Sequence, residues 1–171
     1  MIPDSLATQP IFLCVDDTMV AKAGTRFENV SKLFDHAAHN SSNYLNGHCF
    51  VSIMLCIPVW KNDRVSYLSL PLGYRMWQKK ESKLELAASM IRQVMPEFQE
   101  KKQVIILCDS WYTKRNLVSI VDEYLNLDLI GNARIDSVMY APAHTGRRGR
   151  PAKHGKRLSV ETDFSFQSIF Y

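Results

Sequence analysis

The sequence has no long apolar run. No uninterrupted apolar stretch approaches the roughly 20 residues that a membrane-spanning helix needs. The first residues, from Met1 to Leu6, lack the basic and apolar regions of a signal peptide. We therefore expect a cytoplasmic protein that has no membrane partner.

The sequence also lacks a C-x-x-C pair. Its four cysteines are Cys14, Cys49, Cys56 and Cys108. Each lies within or beside an apolar run, which is typical of small buried thiols in a reducing compartment. We therefore predict no structural zinc site. Three histidines (His36, His39 and His48) have no cysteine or acid that completes such a site either, and we expect them to make ordinary hydrogen bonds.

Internal repeats are absent, and the composition is that of a folded protein. The chain has 171 residues, of which 46% are hydrophobic and 22% charged. This length allows one domain with a hydrophobic core, and this balance excludes a disordered chain.

Acidic residues are missing from residues 141–160, although six basic residues lie there. These six are Arg147, Arg148, Arg150, Lys153, Lys156 and Arg157. The whole chain carries a net charge of +4 and this segment carries +6, so the remainder carries −2. A local basic segment favours a polyanionic partner, and its Gly-Arg-Pro core resembles an AT-hook, a motif that binds the DNA minor groove. A solvated charged loop is the alternative interpretation.

Apolar patterning predicts the secondary structure. Strands are expected at residues 11–15, 47–60, 65–70, 103–108 and 127–131, with helices at about 84–95 and 113–126. A hairpin turn is predicted at 61–64, and Pro96 is predicted to end the first helix. The order βββαβαβ indicates an α/β fold, in which helices cover a mixed β-sheet. We assign residues 1–140 to this domain and residues 141–171 to a basic loop and the start of a further segment.

Acidic side chains follow two of the predicted strands. Asp16 and Asp17 come directly after the first apolar run, and Asp109 ends the fourth. If these strands are parallel neighbours, their acids face each other, and carboxylates suit Mg²⁺ or Mn²⁺. Two such ions, about 4 Å apart, can serve a phosphodiester reaction. The alternative is that these acids cap turns. Trp111 is expected to lie in the core, beside the acids or against DNA.

Four short segments, in order, resemble the DDE-type transposases of bacterial insertion sequences. The segments are Cys14-Val-Asp-Asp-Thr18, Phe34-Asp-His36 through Asn46-Gly-His48, Ile105-Ile-Leu-Cys-Asp-Ser-Trp-Tyr112 and Arg148-Gly-Arg-Pro-Ala-Lys-His-Gly155. The resemblance implies an RNase H-like fold and a catalytic domain that hydrolyses DNA at element ends and then performs strand transfer. It also implies that the basic segment begins a β-rich insertion.

The resemblance implies a site that holds two Mg²⁺ ions. Asp16 and Asp109 match the catalytic acids, and we predict Asp16, Asp17 and Asp109 as metal ligands, with Asp17 as a helper. The six basic residues above are predicted to contact DNA, both transposon ends and target. A homodimer is compatible with the sequence.

The sequence departs from the family in two ways. The family's third acid is a Glu on a helix beyond the insertion, and Glu161 lies in the wrong context to replace it. The N-terminal DNA-recognition region of such enzymes has no counterpart before residue 11. We therefore expect an incomplete or inactive fragment, with little or no strand transfer by this chain alone.

Three alternatives stay open from the sequence. The first is a non-catalytic DNA-binding protein that uses the Arg-Gly-Arg-Pro loop and favours A·T tracts independently of Asp16 and Asp109. The second is another RNase H-like nuclease, which requires a third acid within the chain. The third is an inert remnant that does not fold stably, whose exposed sheet edges would cause aggregation.

Overall fold

The computed structural model describes residues 9–24, 26–34, 43–98, 102–134, 136–143, 153–159 and 162–163. The chain divides into two units, residues 1–132 and residues 133–171. The assignment of residues 1–140 and 141–171 to separate domains stays a prediction.

Within the described residues, the first unit contains six strands and two α-helices. The strands are β1 (Ile11–Ala21), β2 (Ser31–Phe34), β3 (Tyr44–Lys61), β4 (Arg64–Met76), β5 (Val104–Cys108) and β6 (Leu127–Gly131). The helices are α1 (Lys83–Val94) and α2 (Arg115–Val118), and each continues into a 3₁₀ turn, Met95–Glu97 and Ser119–Glu123. The second unit contains a two-stranded ribbon of β7 (Met139–Tyr140) and β8 (Arg157–Leu158).

One mixed sheet organises the first unit, with β1 near its centre. β1 pairs antiparallel with β3 and parallel with β5, and β5 pairs parallel with β6. The predicted parallel pairing of the first and fourth apolar strands is confirmed, since these strands are β1 and β5. β3 pairs with β1 along one edge and with both β2 and β4 along its opposite edge. Gly47 of β3, for example, pairs with Ala21 of β1 on one side and with Ser31 of β2 on the other.

The β3–β4 hairpin turns where the sequence predicts it. Asn62 and Asp63 have φ values of 51° and 55°, the left-handed region that Asn and Asp tolerate better than most residues. Farther along the hairpin, Ile53 pairs with Gly73 and Met54 pairs with Pro71. The register shift leaves Leu72 as an extra residue on β4, which is a β-bulge.

The core lies between one face of the sheet and the helices. Leu13, Val51 and Ile106 are fully buried on this face, and α1 packs Ala87 and Ile91 against it. Each fully buried Leu or Ile stabilises the fold by about 1.5–3 kcal/mol. The predicted first helix is confirmed: it begins at a capping box and passes into a 3₁₀ turn that contains Pro96.

Three predictions about element boundaries are wrong. The third predicted strand, at residues 65–70, is β4 and extends from Arg64 to Met76. β1 does not end before Asp16 but continues to Ala21, because its antiparallel partner β3 keeps pairing with it as far as Gly47. The predicted helix at 113–126 shrinks to four α-helical residues and a 3₁₀ turn. Its end is extended at Tyr124 because the chain must enter β6 three residues later, and Leu125 is fully exposed rather than on the buried face.

None of the helices in the described part of the chain combines the length and apolar character that crossing a membrane requires.

Candidate active site

The parallel strands β1 and β5 bring two acids to neighbouring positions, at the point where β5 ends and β1 continues. Val15 lies opposite Cys108 in the parallel register. Asp16 follows Val15, and Asp109 follows Cys108. Because neighbouring strands lie about 4.8 Å apart, the backbones at these two positions lie close together.

Asp16 and Asp17 leave the sheet on opposite faces, as consecutive strand residues do. Asp17 shares the face of the buried residues Leu13 and Val15, whereas Asp16 is exposed on the other face. The Asp16 carboxylate accepts a hydrogen bond from the Asp17 N–H at 2.8 Å. Among the ion pairs of the described residues, none involves Asp16, so its charge is available to a cation.

Asp109 is exposed and held by the backbone that follows it. Its Oδ1 accepts hydrogen bonds from the N–H groups of Trp111 at 3.0 Å and Tyr112 at 3.3 Å. The turn-capping role that the sequence left open is therefore observed. This capping role uses only Oδ1, because Oδ2 makes no hydrogen bond within the described ranges. The bonds to Oδ1 restrict the orientation of the group.

The Asp17 carboxylate, by contrast, is fully engaged. Lys83 Nζ lies 2.6 Å from its Oδ2, and the Cys49 thiol donates to the same oxygen at 3.2 Å. The Tyr112 hydroxyl donates to Oδ1 at 3.1 Å. The exposed fractions of the Asp17 and Lys83 side chains are only 18% and 19%. The prediction that Asp17 assists a metal is untested, but these contacts favour a structural role.

The electrostatics of this cluster keep its donors protonated. Burial, then the hydrogen bond to Asp17, raises the pKa of Cys49 to about 11. Burial and the nearby Asp17 charge raise the pKa of Tyr112 well above its usual value. For Lys83, burial lowers the pKa, but the hydrogen bond and charge of Asp17 outweigh this, so its pKa is raised. At neutral pH the cluster therefore holds an ammonium, a thiol and a phenol around one carboxylate.

Aromatic rings enclose the Lys83 ammonium. Its Nζ lies 5.8 Å from the centre of the Trp77 ring and 5.2 Å from that of Trp111. Trp111 also carries Lys114 Nζ at 4.5 Å and packs edge-on against Tyr112. The sequence predicted that Trp111 lies in the core, beside the acids or against DNA. In the structure it is partly buried against the core and lies beside the acids.

The loop that carries Asp109 is fixed to the end of β6. The Thr113 hydroxyl lies 3.0 Å from the Ser110 carbonyl oxygen and 2.8 Å from that of Asn132. Gly131 permits this approach, because a Cβ at that position would lie 2.3 Å from Thr113 Cγ2 and 3.0 Å from Cys108 Sγ. A glycine is therefore required where β6 meets the loop.

The described part of the second unit contains three of the six residues that are predicted to contact DNA. Arg147, Arg148 and Arg150 lie outside the described residues. Lys153, Lys156 and Arg157 are all exposed, and Arg157 is part of β8. Lys156 pairs with Asp163 at 3.1 Å, an acid just beyond the segment that lacks them. Their contact with DNA stays a prediction.

The chemistry of the donors suits a hard cation. Within the described ranges, no group of three or more His, Cys, Asp and Glu side chains is arranged to hold a metal ion. The two exposed carboxylates, Asp16 and Asp109, supply the oxygen donors that Mg²⁺ and Mn²⁺ prefer. His48 instead contacts the Glu28 carbonyl oxygen at 2.8 Å, an ordinary hydrogen bond as predicted.

These features define a mixed α/β domain with two acids at neighbouring positions of adjacent parallel strands, Asp16 within β1 and Asp109 directly after β5. The profile of the DDE superfamily endonucleases matches residues 2–165, and the chain therefore belongs to this family. The DDE-type family predicted from the four motifs is thereby confirmed, and its assignment to bacterial insertion sequences stays a prediction. Such endonucleases act on DNA and generally use divalent metals. No curated protein matches the chain.

Proposed function

We propose that this chain is the catalytic domain of a DNA transposase, with an RNase H-like fold and a two-Mg²⁺ mechanism. The observation that carries the proposal is the parallel register of Val15 and Cys108, which aligns the two following aspartates. Membership of the DDE endonuclease family supports the chemistry.

Asp16 and Asp109 are the proposed metal ligands. Both are exposed carboxylates on neighbouring strands. The hydrogen bonds that Asp109 Oδ1 accepts from the turn restrict the orientation of the carboxylate, and so also of its other oxygen, Oδ2. When bound, Mg²⁺ or Mn²⁺ supplies activation of the attacking oxygen and stabilisation of the leaving oxygen of a phosphodiester. Asp17, predicted as a helper ligand, is proposed to assist only indirectly, because its carboxylate is engaged by other side chains on the opposite face of the sheet. The third acid of the family has no counterpart that we assign among the described residues.

The reaction we propose is hydrolysis at transposon ends, followed by attack of the freed 3′-hydroxyl on target DNA. The chain's own contribution is to orient two carboxylates and to bind DNA. The proposed contacts to the DNA backbone are made by Lys153, Lys156 and Arg157, together with the arginines of the same segment. Of these three, Lys156 contributes least, because Asp163 offsets its charge. Assembly as a homodimer belongs to this proposal.

Calorimetric binding of Mn²⁺ to the full chain tests the site. Asp16→Asn and Asp109→Asn are each expected to abolish measurable binding, because each removes a charged ligand. Asp63→Asn is the matched control: Asp63 is exposed in the hairpin turn with φ 55°, a conformation that Asn also tolerates. Circular dichroism checks that each variant is folded.

Two results oppose the proposal. If the wild-type chain binds no Mn²⁺, or if both aspartate variants bind it as well as Asp63→Asn does, the acids are structural. DNA binding that then persists would favour the non-catalytic DNA-binding protein. Loss of Mn²⁺ binding in both aspartate variants, with Asp63→Asn unchanged, supports the shared site.

A further inference from the structure

We propose that Asp17, Cys49, Lys83 and Tyr112 form a positioning network that holds the Asp16 and Asp109 carboxylates in register for the metal. This inference rests on the proposed function and adds residues to it. None of the four is proposed to touch the ion. Tyr112 is the direct link between the two sides of the site.

The first support is the double attachment of Tyr112. Its backbone N–H is shared between the Asp109 carbonyl oxygen at 3.2 Å and Asp109 Oδ1 at 3.3 Å, and its hydroxyl donates to Asp17 Oδ1 at 3.1 Å. Asp17 in turn donates its N–H to Asp16 Oδ1 at 2.8 Å. Three hydrogen bonds, joined by the covalent frames of Tyr112 and Asp17, therefore connect one proposed ligand to the other. Tyr112 is 1% exposed, so its ring has little room to move.

The second support is the number of elements that meet at Asp17. Cys49 belongs to β3, Lys83 is the first residue of α1, and Tyr112 follows β5. All three contact one carboxylate of β1 within 3.2 Å. A displacement of any of these elements therefore reaches the strand residue beside Asp16.

The third support is charge. An acid on the core side of β1 needs a partner, and the ammonium of Lys83 supplies it at 2.6 Å. With three donors around its two oxygens, Asp17 has its charge compensated without a metal. It can therefore fix the strand whether or not an ion is present, which is the property that preorganisation requires.

Removing an outer contact of this kind typically weakens metal binding 10–100-fold. The cleanest variant is Tyr112→Phe, which deletes one hydroxyl and retains the buried ring and the backbone donor to Asp109. We expect roughly tenfold weaker Mn²⁺ binding. Tyr124→Phe is the matched control, since this partly buried tyrosine packs on the same core away from the acids.

A second pair of variants separates positioning from simple electrostatics. Lys83→Met removes a positive charge near the site, which by Coulomb attraction alone would strengthen cation binding. Loss of positioning predicts the opposite, a weakening. Lys114→Met removes a second ammonium that also lies against Trp111 but makes no contact with Asp17 among the described residues. It is expected to bind Mn²⁺ at least as well as the wild type.

The experiment measures Mn²⁺ affinity by calorimetry and the Mn²⁺ electron paramagnetic resonance spectrum of the full chain, with folding checked by circular dichroism. Weaker binding and an altered spectrum in Tyr112→Phe and Lys83→Met, with the two controls unchanged or tighter, support the network. If Tyr112→Phe does not fold, the change in Mn²⁺ affinity of Lys83→Met decides: weaker binding supports the network, and tighter binding indicates simple electrostatics.

The failures are distinguishable. Wild-type affinity in both network variants, while Asp16→Asn abolishes binding, overturns the network and leaves the proposed function standing. Absence of Mn²⁺ binding by the wild-type chain overturns both.

Discussion

Asp16 and Asp17 are consecutive residues of β1, and their side chains leave opposite faces of the sheet. One carboxylate is exposed, and the other is held by three donors. The same substitution at these two positions therefore has different consequences.

Asp17→Asn is expected to lower the free energy of unfolding by about 1–3 kcal/mol, because it leaves the largely buried Lys83 ammonium without its carboxylate. Asp16→Asn is expected to change it by less than about 0.5 kcal/mol, as is usual for an exposed position. Urea denaturation of both variants measures the difference. Equal destabilisation would contradict the separation of roles.

Glu85 gives the stability a pH dependence. Its pKa is lowered from about 4.5 by the backbone N–H and the hydroxyl of Ser82, the residue that caps α1. A lowered pKa contributes stability above the unfolded value that is lost as the pH falls through the folded value. Wild-type chain should therefore lose more stability than Glu85→Gln between about pH 5 and pH 3, since Gln keeps the capping geometry without titrating. Parallel pH curves for the two chains would count against this.

Gly131→Ala should disturb the loop that carries Asp109. The added Cβ would lie 2.3 Å from Thr113 Cγ2, so we expect a loss of about 1–3 kcal/mol in stability and weaker Mn²⁺ binding. Gly73→Ala is the control, because its Cβ would meet only Met90 Cε at 3.8 Å, an ordinary contact. Thermal unfolding and calorimetry measure both effects, and similar results for the two glycines would refute the requirement at Gly131.

Replacing basic residues of the second unit should alter the salt dependence of DNA binding. Lys153→Gln and Arg157→Gln are each expected to reduce the slope of log affinity against log salt by about 1, and Lys156→Gln by less, since Asp163 already offsets its charge. Fluorescence anisotropy between about 50 and 200 mM salt, the range over which phosphate contacts lose much of their affinity, measures this slope. Lys61→Gln, at the exposed end of β3, is the control. If none of the three variants changes the slope, these residues do not contact DNA.

The sequence predicted the elements whose pattern is local. The apolar run of β5 and the helical spacing of α1 before Pro96 were sufficient for both elements. β2 was missed because Ser31–Phe34 has a single buried residue, Leu33, and so shows no alternation. The second helix was overestimated because its spacing is helical, whereas the short path into β6 limits its length.

The candidate site was predictable only in part. Acids that follow apolar runs are visible in the sequence, so Asp16 and Asp109 could be chosen. The partners of Asp17 come from three distant segments, and no local pattern connects them. Extending the alternation of β1 past Val15 would have placed Asp17 on the buried face, where a charge needs a partner.

The bulge in the β3–β4 hairpin has a consequence for self-association. Within the described residues, β4 pairs with β3 alone, so its other side presents open backbone groups along with exposed Tyr67, Leu68 and Leu70. Pro71 has no N–H to offer, and the bulge at Leu72 bends the strand next to it. A strand from another molecule that paired with β4 would therefore lack a regular pattern of backbone hydrogen bonds at Pro71 and Leu72. The proline and the bulge thus interrupt the edge that β4 would offer to edge-to-edge pairing.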